Sequence, residues 1–481
     1  MPTATTLPLI ILMIFLWRIT KGEILPCVLF TSIFTAASAL NFGPWGVAPW
    51  LFVLGAGLLI RLLRGHRPYR FAMGANRVAL HLVIIFLAYA AFTGFIYPVL
   101  FHGVTVMRLG DEEPLVWGLS NVAQLCYLLA SAILYFLAVA CTREELKRAL
   151  EWYVRGCIVA ALFAMYQLLN AVAHIPYPDK ALYSNPSHVV YRAYMINGIW
   201  RLNSTFNEAS EMAGFMIVGL ALLGWTIMTS PLRFWRTCCF ALMLLSLLLT
   251  ISSVGYLCLG YMLIMGAVFY TRHMFHSRGL SAAKLILSVV LLTSGIAIAL
   301  VSTQTVHLVN QVITSTILDK KSTDSYRERV HTHVAALQTL SQTHYMGAGW
   351  GSVRASGLIF FLLGSVGVPG VIMFFGFIGS LFLPLFRRAP PGQSREGRSL
   401  IETSLFAMST LLLAMGVAGA EPVAPILWVL FGVATVAYPP MRTTRRVSYT
   451  AAGQPLSTNG TRLASTVSPA NWQVTASSNQ T

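Results

Sequence analysis

Charged residues are scarce in this chain. Only 10% of its 481 residues are Asp, Glu, Lys or Arg, whereas 56% are hydrophobic. A soluble globular domain carries about a quarter charged residues, so the composition excludes that class. Apolar stretches of about 20 residues, the length of a helix that crosses a bilayer, recur along the chain. The sequence therefore predicts an all-α polytopic membrane protein.

The hydrophobic runs predict about 12–14 transmembrane helices within residues 1–438. The first run lacks the basic stretch and the small-residue cleavage site of a signal peptide, so we expect it to be a span. The last predicted span is followed by a polar tail, 439–481, which we expect to be disordered. The predicted spans are 7–19, 24–40, 46–63, 78–100, 115–140, 156–174, 210–229, 236–252, 254–271, 284–304, 357–386, 400–417 and 423–438.

Cysteines and acidic residues are also few. The seven cysteines lie in or beside predicted spans and show no metal-binding spacing, so the sequence indicates neither a disulfide nor a zinc site. The 33 basic residues outnumber the 16 acidic ones, and the excess falls in alternate loops and in the tail. This is the positive-inside pattern. It predicts a cytoplasmic C-terminus, and it explains the basic charge without a nucleic-acid partner.

Two loops on the opposite, charge-poor side are unusually long, at about 175–208 and 305–356. Loops of this length are functional or disordered, and their aromatic residues and helix signals favour order. The first loop ends with Arg201, Glu208 and Glu211 beside an apolar helix. Thr205 and Glu208 fit a capping box at the helix start. Alternatively, Glu208 and Glu211 share one face of the first turn, where a carboxylate partly removed from water can act as a general base.

The second loop contains a predicted helix that starts at a second capping-box pattern, Ser325 to Glu328. The spacing of Val330, Val334 and Leu337 predicts a buried stripe, with Arg327, His331 and Gln338 on a polar face. That face is either simply solvated or meets lipid phosphates at the membrane surface. The spacing of His331, His333 and His344 lacks supporting carboxylates, so we expect no metal.

A glycine-rich turn follows this helix at 347–356 and leads into the next span. Glycine permits positive φ and close backbone approach. Free amides in such a turn, together with Arg354, suit phosphate oxygens. The alternative is a turn that only re-enters the bilayer. The candidate ligand contacts in this turn are Gly349, Gly351, Ser352 and Ser356.

Several of these elements, in this order, resemble the O-antigen ligase and polymerase family. They are Arg201 followed by Ser-Thr-Phe-Asn-Glu-Ala-Ser at 204–210, Thr-Ile-Ser-Ser-Val-Gly-Tyr at 250–256, Ser-Tyr-Arg at 325–327, Gly-Ala-Gly-Trp-Gly-Ser at 347–352 and Gly-Val-Pro-Gly at 367–370. The resemblance covers about 195–385. Ala209 stands where the family's motif has proline.

The resemblance implies a lipid-sugar glycosyltransferase fold in the bacterial inner membrane, working at the periplasmic face without a metal or other cofactor. Its substrates would be a polyprenyl-diphosphate-linked oligosaccharide and a growing glycan or other acceptor, in contact with membrane lipid. Its protein partners would include a chain-length regulator or a flippase. The implied catalytic residues are Glu208, Arg201, Arg327 and Arg354, and we add Glu211 and His331 as substrate contacts.

Four functions remain open at this point. A ligase of this family typically has a His-Asn element beyond the glycine-rich turn, whereas this chain has Arg-Ala-Ser-Gly at 354–357. We therefore expect a polysaccharide polymerase, with an O-antigen-type ligase as the near alternative. A secondary transporter is less favoured because the spans carry few ionisable groups at mid-membrane. A structural or assembly subunit is the fourth possibility.

Overall fold

A computed structural model describes residues 2–43, 45–65, 76–108, 111–186, 194–196, 199–231, 233–276, 324–386, 395–417 and 423–436. In these ranges the chain is helical apart from loops and three short antiparallel hairpins. The first ten helices are α1 (Thr6–Ile19), α2 (Ile24–Thr31), α3 (Pro49–Leu63), α4 (Arg77–Leu100), α5 (Leu119–Ala140), α6 (Arg143–Ala173), α7 (Asp179–Leu182), α8 (Ala209–Thr229), α9 (Phe234–Leu248) and α10 (Ser253–His276).

Four more helices follow in the C-terminal part: α11 (Asp324–Gln342), α12 (Leu358–Phe382), α13 (Arg395–Val417) and α14 (Pro425–Val436). A 3₁₀ turn, Leu383–Phe386, extends α12. The hairpins are β1–β2 (Leu40–Phe42 and Trp45–Val47), β3–β4 (Thr105–Arg108 and Asp111–Pro114) and β5–β6 (Tyr194–Ile196 and Ile199–Arg201).

Seven of the described helices are long and apolar enough to cross a membrane, namely α4, α5, α6, α8, α10, α12 and α13. Four shorter apolar helices accompany them: α1, α3, α9 and α14. The prediction of an all-α polytopic membrane protein is confirmed. The predicted span 284–304, the tail 439–481 and most of the loop before α11 lie outside the described residues.

Two predicted spans differ from the helices found. Helix α6 begins at Arg143, well before the predicted start at 156, because Thr142 and Glu145 form a capping box. The Glu145 amide donates to Thr142 Oγ1 over 3.3 Å, and the Thr142 amide donates to the Glu145 carboxylate over 2.7 Å. A hydropathy pattern does not detect such polar helical turns. The predicted span 24–40 is wrong beyond residue 31, because α2 ends at Thr31.

The backbone after α2 is irregular and buried, and the loop before α8 provides its hydrogen bonds. Thr205 Oγ1 donates to the Ile33 carbonyl over 2.6 Å, and the Ala36 amide donates to the Thr205 carbonyl over 3.2 Å. The Asn185 amide donates to the Ala36 carbonyl over 3.2 Å. Irregular backbone is tolerated within a membrane protein only where protein groups satisfy it. The first long loop therefore completes a broken membrane segment.

Helices α8 and α14 form the centre of the bundle. Helix α8 packs against α9, α10 and α13, while α14 packs against α5 and α13. All residues of α14 are buried, as expected for a helix that is apolar on every side. Phe431 of α14 makes edge-on aromatic contacts with Phe374 and Phe377 of α12 and with Trp428 of its own helix.

Side chains from alternate connections meet at opposite ends of the bundle. At one end, which we call the basic end, Arg148 Nη2 lies 2.5 Å from Glu23 Oε1, near Lys21, Arg61 and Arg64. At the other end, which we call the loop end, the residues that precede α8 meet the α9–α10 connection, and α11 contacts β3. This alternation agrees with the charge pattern of the sequence.

Candidate functional site

The glycine-rich turn fills a break in helix α12. Gly367 has a φ of +65°, which interrupts the helical backbone. The amides of Ala348 and Gly349 donate to the carbonyls of Gly364 and Ser365, each over 2.7 Å. The Val368 amide donates to the Tyr345 carbonyl over 3.0 Å. The turn therefore supplies the partners that the broken helix lacks.

Close packing explains the glycines of the turn. A Cβ atom on Gly347 would lie 2.6 Å from the Gly367 nitrogen, and one on Gly349 would lie 2.6 Å from the Thr93 carbonyl oxygen. A Cβ atom on Gly351 would lie 2.3 Å from Gln124 Cβ. All three glycines also have positive φ, so any side chain there is both strained and obstructed.

The expectation that this turn offers free amides to phosphate needs correction. The amides of Ala348, Gly349, Ser352 and Arg354 all donate to protein carbonyls. Gly349 is buried, and Gly351 packs against Gln124. Both glycines shape the turn, and their geometry gives no support to the predicted substrate contacts.

Ser352 is likewise buried and already bonded. Its Oγ accepts from Asn121 Nδ2 over 2.8 Å. Arg108, which no sequence motif singles out, donates from Nη2 to the Val116 carbonyl over 3.1 Å and to Asn121 Oδ1 over 3.4 Å. Burial lowers the pKa of the Arg108 guanidinium, against the opposing effect of Glu113. These contacts anchor hairpin β3–β4 to the turn.

Arg354 follows the turn and has an exposed side chain. Its amide donates to the Met107 carbonyl of β3 over 2.9 Å, which fixes the backbone beside the hairpin. The guanidinium is therefore available to a ligand at the loop end.

Helix α11 is turned the opposite way from the prediction. Val330, Val334 and Leu337 are exposed together with Arg327, His331 and Gln338. Its buried face consists mainly of small and hydroxyl-bearing residues, namely Thr332, Ala335, Ala336 and Thr339, together with Leu340. His331 Nε2 lies 3.5 Å from Glu112 Oε1 of β4, and both side chains are about half exposed. The described part of the helix begins at Asp324, so Ser325 lies within it.

Arg329 of α11 lies within electrostatic range of charged residues at and before the start of α8. It is partly buried, and its Nη1 donates to the Val417 carbonyl over 3.5 Å. Burial lowers the pKa of the Arg329 guanidinium; Glu208 opposes this effect and Arg201 adds to it. Arg201 and Glu208 are therefore within electrostatic range of Arg329. We call Arg201, Glu208 and Arg329 the loop-end cluster.

Arg201 is the last residue of β6, and its Nε donates to the Thr250 carbonyl over 3.2 Å. The next residue after Thr250, Ile251, has a φ of +43° and is buried. Positive φ is a genuine outlier for a β-branched residue, and such strain concentrates at functional sites. The 250–256 element therefore contributes to the loop-end cluster through the Thr250 carbonyl.

Glu208 is the N-cap residue of α8 and is exposed, without a side-chain capping bond. The predicted capping box from Thr205 is wrong, because the Thr205 hydroxyl instead donates to the Ile33 carbonyl. Glu211 takes the capping role, since its Oε2 accepts from the amide and the Nδ2 of Asn207 over 3.2 and 3.3 Å. Glu208 is thus the carboxylate of this pair that faces solvent.

Ser356 and His333 lie next to Arg329 on the α11 side. The hydroxyls of Ser356 and Thr332 are 3.1 Å apart, and the Thr332 hydroxyl also donates to the Arg329 carbonyl over 2.9 Å. The His333 ring stacks on Phe360 at a centroid distance of 4.0 Å, and its buried Nε2 has no hydrogen-bond partner among the described residues. Burial, and then Arg329, lower the pKa of His333, which favours the neutral imidazole.

Two guanidinium groups and an exposed carboxylate can bind an anion and accept a proton at one place. Three separate parts of the chain supply them: Arg201 from β6, Glu208 from the start of α8 and Arg329 from α11. Within the described ranges, no group of three or more His, Cys, Asp or Glu side chains is arranged to hold a metal ion.

The fold and the site together define an α-helical polytopic membrane protein with an Arg/Glu cluster at one end of its bundle. No protein-family model matches the chain, and it shows no significant similarity to a curated protein.

Proposed function

We propose that this protein is a polysaccharide polymerase. It transfers a glycan from a polyprenyl-diphosphate carrier to an acceptor sugar hydroxyl at the periplasmic face of a bacterial inner membrane. The observation that supports this proposal most is the loop-end cluster: Arg201 is held by the Thr250 carbonyl, Glu208 is exposed at the start of α8, and Arg329 is partly buried within electrostatic range of both. The motif resemblance at 195–385 supplies the substrate class.

The two arginines suit the departing diphosphate. In the transfer step the acceptor oxygen bonds to the anomeric carbon, and the bond from that carbon to the diphosphate oxygen breaks. Negative charge accumulates on the leaving diphosphate, and preorganised cations stabilise it. Arg329 is partly buried, so its interaction with an anion is stronger than it would be in bulk water.

Glu208 suits the proton of the acceptor hydroxyl. Its carboxylate is exposed and is not used to cap α8, so an incoming sugar can reach it. A carboxylate within hydrogen-bond reach of the hydroxyl accepts the proton as the new glycosidic bond forms. Glu211 is committed to Asn207, and its role is to hold the start of α8.

Arg354 is exposed beside hairpin β3–β4, and in this proposal it meets the diphosphate or the glycan from the other side of α11. Arg327 is exposed two residues before Arg329. A separation of two residues turns a helix by about 200°, so the two side chains point in nearly opposite directions. Arg329 therefore takes the diphosphate-binding role that the sequence assigned to Arg327.

Comparing Arg329→Ala with Arg327→Ala tests this assignment. Each variant removes one arginine from the same helix, and membrane levels of both are measured by immunoblot. We expect Arg329→Ala to abolish the ladder of polymer lengths on a gel, whereas Arg327→Ala retains it. Loss of the ladder in Arg327→Ala alone would contradict the assignment. A full-length ladder that is no longer attached to its final acceptor would indicate the ligase instead.

A further inference from the structure

A cavity at the basic end is distinct from the loop-end cluster. It has a volume of about 230 Å³ and lies between α1, α2, α3 and the start of α6. A single water needs only about 10–15 Å³ of such volume, so the cavity can hold a group of many atoms. Basic residues from two connections line it: Lys21, Arg61 and Arg64.

The acidic residues of the cavity are engaged by other groups. Glu23 Oε1 accepts from Arg148 Nη2 over 2.5 Å and from Arg148 Nε over 3.1 Å. Glu145 Oε2 accepts from the amide and the hydroxyl of Thr142 over 2.7 and 2.9 Å. With Arg148 counted, four cations surround these two carboxylates, and the cavity keeps a positive field that favours an anion.

Exposed apolar side chains flank the cavity. Leu62 and Leu63 of α3 are each 77% exposed, and Ile19 of α1 is 48% exposed. Trp17, a residue type enriched at membrane interfaces, is part of the cavity wall. Basic pockets between transmembrane helices bind the headgroups of anionic lipids. The acyl chains of such a lipid can lie along the exposed apolar side chains of α1 and α3.

We propose that this cavity binds the phosphate headgroup of an anionic phospholipid in the leaflet at the basic end. Lys21 and Arg64 contact the phosphate, and Trp17 packs against the glycerol backbone. The site is independent of the loop-end cluster and of the polymerase proposal, because no residue is common to the two.

Native mass spectrometry of the purified protein in neutral detergent tests the proposal. The probes are phosphatidylglycerol, phosphatidylcholine and inorganic phosphate. The double variant Lys21→Gln with Arg64→Gln removes two cavity cations. The control, Arg18→Gln with Lys147→Gln, removes two exposed cations from the same end that do not line the cavity. The two variants therefore have the same net charge.

We expect wild-type protein to retain phosphatidylglycerol in preference to phosphatidylcholine. The cavity variant should bind phosphatidylglycerol about 25-fold more weakly, because each of the two basic residues near an anionic lipid surface contributes about a factor of five. The control should bind it as wild type does. Equal weakening in both variants, or equal retention of both lipids, would overturn the proposal. Inorganic phosphate that competes as well as the lipid would overturn the choice of a lipid as ligand.

Discussion

The close packing of the glycine-rich turn against the break in α12 allows the loss of stability in Gly367→Ala to be predicted. A Cβ atom at Gly367 would lie 2.4 Å from the Met346 carbonyl carbon and oxygen and from the Tyr345 oxygen. The backbone at Gly367 has a φ of +65° and a ψ of −170°, a conformation that is essentially restricted to glycine and costs another residue about 1–3 kcal/mol. Relief of the overlap requires the turn to move, and overpacking of this kind costs about 1–3 kcal/mol more.

The expected total loss of about 2–6 kcal/mol is large beside the ~5–15 kcal/mol that stabilises a typical protein. The assay is the monodisperse fraction of detergent-purified protein after heating, measured by size-exclusion chromatography over a range of temperatures. We expect Gly367→Ala to aggregate at a clearly lower temperature than wild type. Movement of the turn would also break the 3.0 Å hydrogen bond from the Val368 amide to the Tyr345 carbonyl.

Gly376→Ala in the same helix is the matched control. A Cβ atom there meets nothing within 4 Å, and alanine is a better helix former than glycine by about 1 kcal/mol. This variant should therefore be as stable as wild type or slightly more stable. Equal aggregation temperatures for Gly367→Ala and Gly376→Ala would refute the reasoning that the turn is locked into the break.

Two further predictions concern single side chains at the loop end. Arg354→Ala should abolish polymer formation while the amount of protein in the membrane stays normal. Arg354→Lys should retain part of the polymer formation because a positive charge remains. Polymer at the wild-type level from Arg354→Ala would rule out the proposed role of Arg354. His333 should make the free energy of unfolding depend on pH. Its pKa is lowered in the folded protein, so the unfolded chain binds a proton first as the pH falls below about 6.5, and the folded protein becomes less stable. His102 is exposed, so His102→Gln serves as the control. Wild-type and His102→Gln proteins should lose more thermal stability between pH 7 and pH 5 than His333→Gln does. Parallel losses in all three proteins would contradict this prediction.

The positions of the long helices could be predicted from the sequence better than the places where a helix is broken. A helix that crosses a bilayer needs a long run of apolar residues, and such a run is visible in the sequence. The end of α2 at Thr31 carries no such mark, since residues 32–40 contain neither glycine nor proline and remain apolar. Distant groups such as the Thr205 hydroxyl, which sequence proximity cannot indicate, hold this irregular backbone in place. Helix α12, by contrast, contains a readable signal for its break, Gly-Val-Pro-Gly at 367–370.

The orientation of α11 shows why the sequence predicted the wrong buried face for this helix. Apolar spacing predicted that Val330, Val334 and Leu337 face inward, which places Arg327 on the polar side. The helix instead buries its small and hydroxyl-bearing face against β3 and α12, where Thr339 Oγ1 donates to the Thr105 carbonyl over 3.1 Å. Ala and Thr allow this close approach but contribute little to an apolar stripe. At a membrane surface, exposed valines carry no penalty large enough to turn the helix.

Reconstitution of the purified protein tests the central claim most directly. Wild-type protein in liposomes is supplied with one defined polyprenyl-diphosphate-linked oligosaccharide, and the products are separated by length. The proposal predicts glycans of two or more repeat units together with released polyprenyl diphosphate, and it predicts neither product from Arg329→Ala. Unchanged donor after incubation with stable wild-type protein, or equal polymer from Arg329→Ala, would contradict it.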